Sequence, residues 1–170
     1  FTLEGHSDPT LSDGVVVLEA PSDVSVVLTN PNGNVCKDLS IKQAKDVELN
    51  GSTTGTFTVE NAENVTVNDS IGGAAFITCT GNVNITAQGT AVRYDLNVTG
   101  ASEVNVTSKT GQAVGGLHLK NCGKVTLSAA EDQYVIDAWG FYEYTRDDGQ
   151  IDACYDKKGG SLISAIKGQK

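Results

Sequence analysis

Five short phrases along the chain repeat one alternation of apolar and polar positions. DVEL, NVTV, NVNI, EVNV and KVTL set apolar pairs at Val47/Leu49, Val65/Val67, Val83/Ile85, Val104/Val106 and Val125/Leu127, and their starts lie 18, 18, 21 and 21 residues apart. A second phrase precedes each by a fixed interval: LSI, FTV, AFI, LNV and LHL end at Ile41, Val59, Ile77, Val98 and Leu119, each six residues before the next apolar pair begins. Both phrases place two side chains on one strand face and the middle residue on the other. This period of two belongs to a strand and not to an amphipathic helix.

Polar connections containing QAKD, ENAEN, TCTGN, TGASE and KNCGK join the two phrases, with Asn and Gly easing the turns. A hairpin sheet would also alternate. Constant offsets over five units fit better a chain that winds through equivalent rungs, because each unit buries its apolar face only against its neighbours. The expected fold is all-β, a short right-handed parallel β-helix. Strands about 4.8 Å apart give five rungs an axial length of about 20–24 Å. Inward Val, Ile and Leu stack from rung to rung while outward Thr, Asn, Glu and Lys meet water.

The ends depart from this register. Residues 1–35 are expected to form an N-terminal cap and first strands, with two apolar strand candidates in 11–29 covering the edge of the five-rung region at 36–130. Residues 131–170 form the other cap. They contain Trp139, Phe141 and four of the five tyrosines, and residues 159–166 suit a final strand or short helix.

Composition narrows the function. The chain has 170 residues and a formal charge of −9, which suits one domain and disfavours binding to a nucleic-acid backbone. No apolar run reaches the length of a membrane span, so membrane insertion is not expected. With one Trp, four Phe and no Met among its residues, the core must be built from small aliphatic side chains.

The LxV/LxI phrase, the polar turn and the NVTV-like phrase that follows resemble the right-handed parallel β-helix repeats of pectate-lyase-like proteins and bacterial surface proteins, over residues 36–130. The resemblance implies the fold. That scaffold serves polysaccharide lyases, glycoside hydrolases, adhesins and virus tail proteins alike, so it does not select an activity. A lyase of this kind would carry acidic calcium ligands and a basic residue across a groove. Arg93, with Asp95 nearby, is the only Arg of the repeat region, and no acidic ladder accompanies it.

The acidic and aromatic C-terminal segment is the candidate ligand-binding patch. Trp139, Tyr142 and Tyr144 offer flat faces to sugar rings, and Asp147, Asp148, Asp152 and Asp156 offer acceptors to hydroxyls or to a hard cation such as Ca2+. The competing expectation is that the aromatics plug the last rung while the carboxylates stay solvated. The spacing of Asp147, Asp148, Asp152 and Asp156 does not match a calcium-binding EF-hand loop.

His6 and His118 have no metal-pair spacing, and alternation turns His118 away from the core. Cys79 and Cys122 sit in related turns two repeats apart, too far for a disulfide, whereas Cys122 and Cys154 could tie the irregular end to the solenoid. Cys36 completes the set of four. Six Asn-X-Ser/Thr triplets begin at Asn50, Asn64, Asn68, Asn84, Asn97 and Asn105, largely as a product of the repeat.

The expected function is that of a noncatalytic extracellular or cell-surface module that binds carbohydrate or adheres, a monomeric part of a larger protein whose partner is a glycan or a host or cell-surface protein. Two alternatives stand beside it. One is a carbohydrate-active enzyme using terminal carboxylates. The other is a structural or protein-interaction repeat.

Overall fold

The computed structural model describes residues 2–4, 14–130, 133–136, 141–145, 151–155 and 161–165. Two sheets run the length of the molecule. One joins, in spatial order, β1 (Thr2–Glu4), β3 (Val26–Cys36), β5 (Asp46–Thr53), β7 (Asn64–Val67), β9 (Asn82–Ala87), β11 (Glu103–Ser108), β13 (Lys124–Ser128) and β16 (Ser161–Ala165). The other joins β2 (Val15–Leu18), β4 (Asp38–Ile41), β6 (Phe57–Ala62), β8 (Ala75–Cys79), β10 (Val92–Thr99), β12 (Val114–Lys120), β14 (Phe141–Thr145) and β15 (Ile151–Tyr155).

Each strand from β2 to β14 pairs in parallel with strands two places away in the chain, so successive turns stack as a right-handed β-solenoid of about five turns. A third, narrow ladder of single bridges links Thr53 to Ile71, Ile71 to Val92, and Val114 to Ile136. Each turn therefore has three short faces.

The period-two pattern survives intact. Val47, Val65, Val83, Val104 and Val125 lie opposite one another in one sheet, and Leu39, Phe57, Ala75, Leu96 and Leu117 in the other, all buried. Burying each large aliphatic side chain contributes about 1.5–3 kcal/mol, so the columns supply the main driving force. Side-chain volumes compensate along a column: Phe57, the largest, stands over Ala75, and both are fully enclosed.

The bends between the two phrases also face the core. Ala44, Ala62, Cys79, Ala101 and Cys122 are all buried there, one from each polar connection. Only a small side chain fits where the coil turns. The cysteines therefore act as small apolar residues, and Cys36, Cys79 and Cys122 are buried thiols. Cys122 reaches the Val98 carbonyl at 3.4 Å, whereas the Cys154 side chain lies outside the described residues. Burial pushes the thiol of Cys36 up to about 11, helped by the Asp38 carboxylate. The same desolvation, with a smaller electrostatic contribution from Cys122, raises Cys79 to about 11.

The outward asparagines have a structural role that their triplets conceal. The Asn68 amide donates to Asn50 Oδ1 at 2.7 Å, Asn105 donates to Asn84 Oδ1 at 3.0 Å, and Asn64 donates to Asp46 Oδ1 at 2.8 Å. Asn64 Oδ1 in turn accepts the Asn82 backbone N–H at 2.9 Å. These rung-to-rung bonds give the outward asparagines a reason to recur that does not involve sugar attachment.

The ends extend the winding. In the segment expected as an N-terminal cap, β2 and β3 join the ladders in register, with Leu18 opposite Ile41 and Val26 opposite Val47, and β1 pairs with β3. Leu18 and Val26 are eight residues apart instead of six, because a turn in which Val24 N–H donates to the Pro21 carbonyl lengthens the connection. At the far end the segment expected as a strand or short helix is the strand β16, antiparallel to β13, and β15 folds back antiparallel on β14.

Two measurements check this account. Val83→Asp places a charge in the fully enclosed column and should cost several kcal/mol in urea unfolding, whereas Thr66→Asp, on the outward side, should stay within about 1 kcal/mol. For the thiols, the folded state holds the neutral form. Their contribution to stability should be complete below pH 9, the ordinary thiol value, and should be lost as pH rises through about 11. Denaturation midpoints that ignore this window in a variant lacking Cys154 would contradict the burial of Cys36 and Cys79.

Candidate functional site

The outward face of the second sheet carries one side chain per turn at each register position. In the central column of the five repeats these are Ser40, Thr58, Phe76, Asn97 and His118, with the exposed Val17 of β2 one turn before Ser40. Four of the five are polar. The fifth, Phe76, is 46% exposed, although the same strand has buried its neighbours Ala75 and Ile77. Around its ring lies a concavity of about 260 Å³, lined by Thr58, Glu60, Thr78, Asn97 and Thr99 from β6, β8 and β10.

The lining is chemically consistent. Three hydroxyl residues, one carboxamide and one carboxylate line it together with the Phe76 ring, and among the described residues that line it there is no cation. The Asn97 amide donates to the Ala75 carbonyl at 3.2 Å, which fixes the carboxamide beside Phe76. A flat apolar ring ringed by hydroxyl and amide groups suits a ligand with apolar C–H faces and equatorial hydroxyls. No family model, curated protein or solved structure matches this chain. The architecture is nonetheless that of the parallel β-solenoids, the class to which pectate-lyase-like folds belong.

One rung along, β10 bulges. Between Val92 and Leu96 it carries three residues, Arg93, Tyr94 and Asp95, where β12 has only Gly115 and Gly116 between Val114 and Leu117, and the register shifts accordingly. All three side chains are exposed. Bulges of this kind re-aim side chains at sheet surfaces. Tyr94 is 56% exposed, and the Arg93 guanidinium lies 5.6 Å from the centre of its ring. Asp95 turns toward the next rung, where His118 Nε2 is 3.7 Å from its Oδ1. His118 thus stands off the core, as alternation predicts, in an ion-pair arrangement with a carboxylate.

The residues singled out from sequence fall elsewhere. Trp139, Asp147, Asp148 and Asp156 lie outside the described residues. Tyr142, Tyr144 and Asp152 belong to strands whose backbone alone is described, and their side chains lie outside the described residues too. The register sets Tyr142 beside Leu117 and Tyr144 beside Leu119, the positions of the two inward columns, with Asp152 opposite Tyr144 in β15. The parallel backbone pairing therefore continues from β12 into β14. Among the described residues no group of three or more His, Cys, Asp or Glu side chains could hold a metal ion, and the 147–156 loop considered for Ca2+ lies mostly outside them.

Sequence reasoning passed over Phe76 and Tyr94, yet both had a signal. Phe76 is the middle residue of AFI, a position held by Ser, Thr, Asn and His in the other phrases. Arg93–Asp95 sits between two Gly pairs, Gly72–Gly73 and Gly115–Gly116, at equivalent points of adjacent turns.

The bulge depends on one of those glycines. A Cβ on Gly115 would lie 2.5 Å from the Arg93 carbonyl oxygen and 2.9 Å from Tyr94 Cα, whereas one on Gly89 would meet nothing within 4 Å. Gly115→Ala should therefore destabilise the fold by about 1–3 kcal/mol, and Gly89→Ala should leave thermal unfolding nearly unchanged. Equal midpoints for the two variants would show that the close approach does not exist.

Proposed function

We propose that this chain is a noncatalytic carbohydrate-binding or adhesive module of an extracellular or cell-surface protein, and that its ligand seats on the Phe76 concavity. The observation that carries this reading is the half-exposed phenyl ring standing between the polar Thr58 and Asn97 in its column, with Thr58, Glu60, Thr78, Asn97 and Thr99 lining the concavity beside it. The ring lies on the outward face of its strand, away from the core, and a sugar would cover its exposed part.

The mechanism is surface complementarity. The ladder holds the strands rigid, so the hydroxyls and the carboxamide are already oriented before ligand arrives, and little conformational entropy is lost on binding. Phe76 contributes stacking against a sugar face, and the lining groups supply directional hydrogen bonds. The wider solenoid class contains carbohydrate-binding, lyase and adhesin proteins, which is consistent with such a ligand. The chain's negative charge also disfavours polyanionic partners.

A glycan array followed by isothermal titration tests the reading. The native chain should retain a subset of glycans without releasing products. Phe76→Ala should weaken binding roughly tenfold, about 1.4 kcal/mol, with an unchanged melting temperature because the ring is half exposed. Glycan binding untouched by this substitution, or no glycan bound at all, would overturn the assignment, and cleaved products would favour a carbohydrate-active enzyme instead.

A further inference from the structure

The Phe76 concavity ends at β10, where the bulge raises a second exposed ring. We infer that Tyr94 is a second ligand platform, so that the site takes an extended oligosaccharide and not a single sugar; this rests on the carbohydrate reading of Phe76. Three observations support it.

First, position. Asn97 lies opposite Phe76 in the ladder, and Tyr94 precedes Asn97 by three residues on the same strand. At about 3.3 Å per residue along the strand and about 4.8 Å between rungs, the two residues are roughly 10 Å apart, a separation one disaccharide does not span with both its ends stacked. A longer chain lying obliquely across β8 and β10 would meet both.

Second, the surroundings of Tyr94 are cleared. Its neighbours on the adjacent turns are glycines, Gly73 below and Gly115 above, and the Tyr94 backbone N–H reaches the Gly73 carbonyl at 3.4 Å. No side chain from those positions stands beside the ring. Bare backbone on both flanks lets a bulky ligand approach the phenol as it could not between Thr or Asn side chains.

Third, the ring is backed. Arg93 at 5.6 Å covers one side of the Tyr94 ring through a cation–π contact and restrains it. With Tyr94 still 56% exposed, a face remains for a sugar. Tyr94 is accordingly a specificity-determining residue for chain length, with Phe76 the primary platform.

Chain-length dependence separates this inference from the reading on which it rests. Binding of cello-, manno- and galacto-oligosaccharides of two and six units would be measured by titration for the native chain, Phe76→Ala and Tyr94→Ala, with Tyr94→Phe as the conservative control. For a bound series, Phe76→Ala should weaken both lengths. Tyr94→Ala should leave the disaccharide unchanged and weaken the hexasaccharide roughly five- to tenfold, and Tyr94→Phe should restore most of that loss. If Phe76→Ala weakens binding while Tyr94→Ala affects both lengths equally or neither, the second platform is wrong and the first stands. If the native chain binds neither these series nor any glycan of the array, both fall together.

Discussion

Everything in this molecule depends on apolar side chains meeting their counterparts one turn above and below. A parallel ladder fixes that meeting through its hydrogen bonds, and a slip of one residue would turn each inward column to water. The constraint explains why the spacing between the five repeats can change from 18 to 21 residues while the interval between their two phrases stays at six. Extra residues are admitted only where they leave the columns aligned. It is also consistent with the small residues at the bends: Ala44, Ala62, Cys79, Ala101 and Cys122 are buried in the core, one on each turn.

The same constraint frees the outward face. Side chains there answer to solvent and to each other, and some form polar ladders such as Asn50 with Asn68 and Asn84 with Asn105. Besides the exposed Val15 and Val17 of β2, Phe76 and the Arg93–Asp95 bulge break that polar pattern on adjacent strands. Local departures from an otherwise consistent pattern tend to mark function. Here both departures present aromatic rings to water, and both have neighbours that leave a ligand room, hydroxyl and amide groups around Phe76 and glycines around Tyr94.

The fold was legible in the sequence because its determinant is linear. Inward pairs such as Val83/Ile85 recur at fixed offsets, and period two distinguishes them from a helix without knowledge of the third dimension. The extra winding of β2 and β3 was harder to read because the turn after Pro21 lengthens one connection and hides the register. The candidate site was less legible. Composition drew attention to residues 131–156, where aromatics and acids concentrate, whereas Phe76 is a single residue whose meaning depends on its being the odd member of a column. Recognising that requires aligning the repeats first and then asking which outward position breaks the series. The bulge required more: Arg93–Asp95 becomes notable only when set against Gly115–Gly116 on the next turn.

The most direct test of the glycan-binding face is an amide NMR titration of the intact chain with a bound oligosaccharide. Shifts should be concentrated at Thr58–Glu60, Phe76–Thr78 and Tyr94–Thr99, three segments distant in sequence and adjacent only in this register. Shifts confined to residues 131–156, or spread without relation to β6, β8 and β10, would contradict the account.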